Sequence, residues 1–125
     1  MKIRILLVDD HTILRAGLKM MLNAQPDMDV VGEANDGRQA IQESQRLRPD
    51  IVLMDITMPD MNGIEATRQI SRRLRRASVI GFSIHEDKHT ADAIKKAGAC
   101  AYVTKQENPD KLYAVIRRYC SARSQ

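Results

Sequence analysis

The sequence predicts a doubly wound α/β domain, with one five-stranded parallel sheet covered by helices on both faces. Three observations lead there. Short apolar, β-branched runs alternate five times with segments of helical periodicity. No tight-turn pair such as Asn-Gly joins one strand-like run directly to the next, so each connection is a helical crossover. The run Ile51 to Met54 is apolar throughout, as strands buried on both faces are.

Ile3 to Val8 is the first such run and stops at Asp9 and Asp10. Thr12 to Asn23 follows as a helix, because Ile13, Leu14, Leu18, Met21 and Leu22 recur at helical spacing. Asp27 to Ala34 is a second strand; Asp36 and Gly37 turn the chain. Ala40, Ile41 and Leu47 mark a helix that must stop near Pro49. Ile51 to Met54 is an apolar strand ended by Asp55, and Met58 to Gly63 is a loop punctuated by Pro59 and Gly63. Ile64, Ile70 and Leu74 belong to a third helix. Val79 to Phe82 is the fourth strand, Thr90 to Ala97 a helix closed by Gly98, and Ala101 to Val103 a short fifth strand. Asn108 and Pro109, a cap and a first-turn proline, open a last helix with Leu112, Val115, Ile116 and Tyr119 on its inner side. Ser121 to Gln125 reads as a polar tail or the start of a linker, giving one domain over residues 1–120.

With 125 residues, 43% hydrophobic and 29% charged, the chain can bury a core without disulfides or structural metal. It contains no apolar run long enough to span a membrane and no signal segment, which implies a cytoplasmic protein. Cys100 and Cys120 lack metal-ligand spacing and read as packing residues in a reducing compartment. The formal charge of +4 owes much to Arg68, Arg72, Arg73, Arg75 and Arg76. With no Trp, one Phe and three Tyr the chain lacks stacking platforms, so direct nucleic-acid binding is not expected and the basic run reads as a solvated helix end.

In open parallel sheets, ligands sit beyond the carboxyl ends of the strands, where strand order reverses. Asp9 and Asp10 follow the first strand, Asp55 the third, Ser83 the fourth and Lys105 the fifth. Carboxylates about 4 Å apart repel by on the order of 4 kcal/mol per pair at an effective dielectric near 20, so such a cluster calls for positive charge. A hard divalent ion with oxygen ligands suits it, and Mg²⁺ suits it better than zinc. A metal, a lysine and a hydroxyl around one carboxylate are the requirements of phosphoryl transfer, with Asp55 as the nucleophile.

The segments Val8-Asp9-Asp10, Val52-Leu53-Met54-Asp55-Ile56-Thr57-Met58-Pro59, Asn62-Gly63, Phe82-Ser83 and Tyr102-Val103-Thr104-Lys105 together resemble response-regulator receiver domains of two-component signalling. Ser83-Ile84-His85-Glu86-Asp87 is most similar to the NarL/FixJ-type branch. The resemblance implies a flavodoxin-like (βα)5 fold with strand order 2-1-3-4-5. It implies Asp55 as phosphoacceptor for a sensor histidine kinase, with Mg²⁺ held by Asp9, Asp10, Asp55 and the backbone carbonyl of Thr57. Ser83 and Lys105 would bind the phosphoryl group, and Ser83 and Tyr102 would form the switch. The face of the fourth helix, fifth strand and last helix would carry the readout, the partner or a homodimer mate. Branch members usually carry a C-terminal helix-turn-helix output domain that regulates transcription. None lies within these 125 residues, which suits a stand-alone receiver or part of a longer regulator.

Two departures and several bland alternatives stand beside this. Gln106 follows Lys105 where many receivers have proline, and Ile84 is bulky for its position, an expected brake on dephosphorylation. Asp10 could instead cap the first helix, and His11 and the His85/His89 pair read as solvated rather than ligating. Arg75-Arg76-Ala77-Ser78 resembles a basic-directed kinase site. Two rival functions are a haloacid-dehalogenase-type phosphatase, which needs a second Asp where Thr57 stands, and a receiver that serves as an unphosphorylated interaction module.

Overall fold

A computed structural model describes residues 2–56, 63–83 and 88–124, side chains of 121–124 excepted. Five strands, β1 (Ile3–Val8), β2 (Met28–Ala34), β3 (Ile51–Asp55), β4 (Ser78–Ser83) and β5 (Ala101–Thr104), alternate with five helices. These are α1 (Thr12–Asn23), α2 (Gly37–Leu47), α3 (Gly63–Arg73), α4 (Lys88–Lys96) and α5 (Pro109–Ser124). All four strand pairings are parallel, in the order β2-β1-β3-β4-β5. The expected doubly wound architecture and strand order are both present.

Because strand side chains alternate, each strand feeds two cores. Leu6, Val8, Val52, Met54 and Val79 pack with Ala40 and Ile41 of α2, Ala66 and Ile70 of α3, and Ile94 of α4. Ile5, Leu7, Ile51, Leu53, Ile80 and Phe82 pack with Leu18 and Leu22 of α1 and Leu112 and Ile116 of α5. The sheet therefore has α1 and α5 on one face and α2, α3 and α4 on the other. The chain changes direction between β1 and β3, which are neighbours in the sheet, and this places the switch point at Val8 and Met54.

Local signals explain three of the helix ends. Asp36 caps α2, its Oδ1 accepting from Gln39 N at 2.7 Å. Asn108 caps α5 through Asp110 N at 2.9 Å. Arg48 closes α2 in the left-handed region at φ 49°, just ahead of Pro49.

The fold corrects two expectations and accounts for one chance pattern. Ile13 is 90% exposed, so the core-facing stripe of α1 is buried Leu18 and Leu22 with half-buried Leu14 and omits Ile13. Residues 121–124, expected as a polar tail, continue the backbone of α5. Ser78 is buried in β4, out of reach of a kinase in the folded protein. The loop from Met58, Thr57, Ile84 and His85 lie outside the described residues.

Candidate functional site

The register of the sheet assembles the site. Val8 pairs with Met54, so the next residues along, Asp9 and Asp55, emerge side by side at the switch point. Asp55 pairs with Phe82, Ser83 pairs with Thr104, and Lys105 follows at once. Asp9, Asp10, His11 and Asp55 bring one ligand atom each within 4.8 Å of one another. Asp55 is 0% exposed and Asp9 1%.

Lys105 balances part of this charge. Its Nζ donates to Asp9 Oδ2 at 3.0 Å and lies 3.7 Å from Asp55 Oδ2, with its side chain only 7% exposed. Phe82 presents its ring 5.3 Å from the same ammonium, a cation–π contact that steadies the alkyl arm. The backbone fixes its root, since Lys105 N donates to Ser83 O at 2.6 Å. Burial pushes the Asp9 carboxyl upward. The His11 N–H at 2.8 Å and the Lys105 ammonium outweigh burial, and its pKa falls below the ordinary 3.8.

Two residues join the site, His11, which sequence reasoning set aside, and Arg15, which it missed. His11 Nδ1 is 3.1 Å from both Asp9 Oδ1 and Asp10 Oδ1, although its ring is largely exposed. Arg15, one turn into α1, donates from Nη1 to Asp9 O at 2.6 Å and from Nε to Glu33 Oε1 at 3.1 Å. Arg15 thus ties β1, α1 and β2 together beneath Asp9. The only sequence signal was helical spacing, which places Arg15 above the strand end without naming its partner.

Asp10 does not cap α1. The N-cap is His11, which makes no side-chain capping bond. Asp10 is 27% exposed, yet its Oδ1 is buried without an aligned hydrogen bond. A buried carboxylate oxygen without an aligned donor, beside two buried carboxylates, suits a hard cation with oxygen ligands. The three acids therefore fit Mg²⁺ by donor chemistry.

Gly63 closes the other side. A Cβ there would lie 2.6 Å from Asp55 O and 2.7 Å from Ile56 Cα, so the start of α3 approaches the strand end as only glycine permits. Tyr102, half-buried, packs against the core on the α4 face. Ser83 is buried at the end of β4. The structure thus gathers Asp9, Asp10, Asp55, Ser83 and Lys105 at one sheet edge, while Thr57 lies outside the described residues.

Comparison with known proteins agrees with this arrangement. The model of the response regulator receiver domain family matches residues 5–117. The transcriptional regulatory protein LiaR of Bacillus subtilis is 41% identical over 92% of this chain and 54% of its own length. The nitrate/nitrite response regulator protein NarL of Escherichia coli is 35% identical over 91% of this chain and 53% of its own. A crystal structure of a LuxR-family two-component response regulator from Aurantimonas sp. SI85-9A1 superposes with a TM-score of 0.93 at 38% identity. It covers 98% of this chain and 87% of that one. The chain spans about half the length of the curated relatives it matches. Among the described residues no helix is long and apolar enough to cross a membrane. From its fold, its strand-end residues and these matches, the chain belongs to the response regulator receiver domain family, in its NarL/FixJ-type branch.

Proposed function

We propose that this receiver is a phosphorylation-dependent switch that takes a phosphoryl group onto Asp55 from a sensor histidine kinase. The observation that carries the reading is the gathering of Asp9, Asp10 and Lys105 around a fully buried, strand-terminal Asp55. A carboxylate nucleophile needs its charge and that of the incoming phosphoryl oxygens balanced.

Asp55 attacks phosphorus; the bond to the donor's imidazole nitrogen breaks, and that nitrogen keeps the electron pair. Lys105, already held between Asp9 and Asp55, pairs with a phosphoryl oxygen, and the Ser83 hydroxyl donates to another. Asp9, Asp10 and Asp55, with the carbonyl that the family resemblance assigns to Thr57, would hold Mg²⁺, which when bound would neutralise charge on the phosphoryl oxygens. Arg15 keeps the Asp9 backbone in place, and burial of Asp55 excludes bulk water. Ser83 moving toward the phosphoryl group frees space for Tyr102 to turn inward, changing the face of α4, β5 and α5. That face then engages a homodimer mate or an output domain, a DNA-binding helix-turn-helix in a transcription regulator. Each chain accepts one phosphoryl group, so the protein is a switch and not a turnover enzyme.

The test is intact mass after incubation with Mg²⁺ and a small acyl-phosphate donor. A single phosphoryl adduct is expected, absent in Asp55→Asn. An adduct that persists in the variant, or none in the parent, overturns the assignment.

A further inference from the structure

At the opposite end of the sheet from the acidic cluster lies a cavity of about 410 Å³, lined by Arg48, Pro49, Asp50, Arg73, Arg75 and Arg76 with Leu74 and Ala77. β3 has five residues, so at about 3.3 Å each roughly 16 Å of strand separates this cavity from the acidic cluster.

Its floor is fixed. Asp50 N donates to Arg4 O and Ser78 N to Asp50 O, both at 2.9 Å, stitching the segment between β1 and β4. Arg4 also reaches out, Nη1 donating to Arg48 O at 2.9 Å while Arg4 N donates to Asp50 Oδ2 at 2.9 Å. Pro49 and Ala77 are buried and give the floor an apolar strip.

The rim is charged and its arginines are unpaired among the described residues. Among the described residues no carboxylate lies within salt-bridge distance of Arg48, Arg73, Arg75 or Arg76, whereas Arg15, Arg46, Arg68 and Arg117 are all paired. The bland explanation is that basic residues offset the C-terminal dipoles of α2 and α3, which both end here. Magnitudes decide against that as the whole account. Each helix end carries about half a negative charge and Asp50 one more, against four guanidinium charges, so the rim is left about two positive. Four arginines lining one cavity suit the spread oxygens of linked phosphates better than a single carboxylate, and the volume falls in the usual range for small-ligand sites.

We propose that this cavity binds a small oligophosphate, either inorganic or carried by a nucleoside whose base lies on the Pro49, Leu74 and Ala77 strip. This site stands apart from the Asp55 chemistry.

The test is an amide chemical-shift titration of the isotope-labelled protein with inorganic triphosphate in the absence of divalent ions. ATP and sulfate are titrated in parallel at matched ionic strength. Saturable one-to-one binding is expected, with shifts concentrated at Arg48, Asp50 and residues 73–77. Arg48→Gln with Arg75→Gln should weaken binding about tenfold or more, the scale of one lost charge-assisted hydrogen bond. The second pair, Arg73→Gln with Arg76→Gln, should do the same. The urea midpoint and the labelling of Asp55 should stay unchanged. Equal affinity for triphosphate and ATP assigns the site to the phosphate chain, and tighter ATP binding assigns it to a nucleotide. Sulfate binding as tightly as triphosphate, shifts centred elsewhere, or undiminished binding in both variants overturns the proposal.

Discussion

Lys105 Nζ stands 3.0 Å from Asp9 Oδ2 but 3.7 Å from Asp55 Oδ2, so the lysine hydrogen-bonds the neighbouring acid and leans toward Asp55. All three groups are almost fully buried, and removing the cation strands two carboxylates in low dielectric. Lys105→Met should destabilise the metal-free protein by about 3–5 kcal/mol, the usual cost of breaking a buried pair from one side. Added Mg²⁺ should recover part of the loss. Urea unfolding with and without the ion checks this, and a variant as stable as the parent would refute the charge balance described here.

Mg²⁺ should stabilise the parent by about 1.4 kcal/mol at a free concentration tenfold above its dissociation constant. Asp10→Asn tests the least compensated acid of the cluster. Losing one negative charge from the cluster leaves metal-free stability equal or slightly raised, yet Mg²⁺ binding should weaken by about tenfold or more, since a ligand contributes at least as much as the outer-shell partners that support it. Thermal shift against Mg²⁺ concentration reads both effects; equal Mg²⁺ responses in variant and parent would remove Asp10 from the site.

Gly63→Ala should cost about 1–3 kcal/mol, the usual scale for overpacking. An alanine near a helix start ordinarily gains stability, but here its Cβ meets backbone atoms of Asp55 and Ile56, which cannot yield as a flexible side chain would. Labelling of Asp55 by an acyl-phosphate donor should slow at the same time. A stabilised variant with unchanged labelling would show that the approach of α3 does not matter.

Arg117 joins α5 to the start of β2, its Nε and Nη2 donating to Asp27 at 2.8 and 3.0 Å and Nη2 to Gln25 at 2.8 Å. The Arg117 hydrogen bond holds the Asp27 carboxyl below its ordinary 3.8. A depressed carboxyl contributes stability above the unfolded value and loses it as pH falls through the folded one. Both side chains are about two-fifths exposed, so solvent screening keeps the pair's contribution small. The stability gap between the parent and Arg117→Met should therefore be constant above 3.8 and shrink below it. Urea midpoints measured across that range follow the gap; a gap that widens in acid would contradict the pairing.

Much of the fold was legible because hydrophobic periodicity and punctuation are local properties. Ile3–Val8 and Thr12–Asn23 match the expected elements in both limits, and Asp36 and Asn108 cap the helices they precede. Ile13 misled because helical spacing marks a stripe without saying where its edge lies. A polar composition at residues 121–124 likewise carried no information against a helix already propagating from Pro109.

The chain by itself determined five strand–helix units, two acids after the first strand, an acid after the third and a lysine after the fifth. Those are properties of neighbours along the backbone. Tertiary structure alone decided that Lys105 bonds Asp9 rather than Asp55, that His11 reaches two carboxylates, and that Arg15 braces the Asp9 carbonyl. It also decided that Arg48, distant in sequence from Arg73, Arg75 and Arg76, shares one cavity with them. Charge–charge and hydrogen-bond energies depend on separations of a few ångströms across the sheet, and parallel register sets those separations only once the strands have paired.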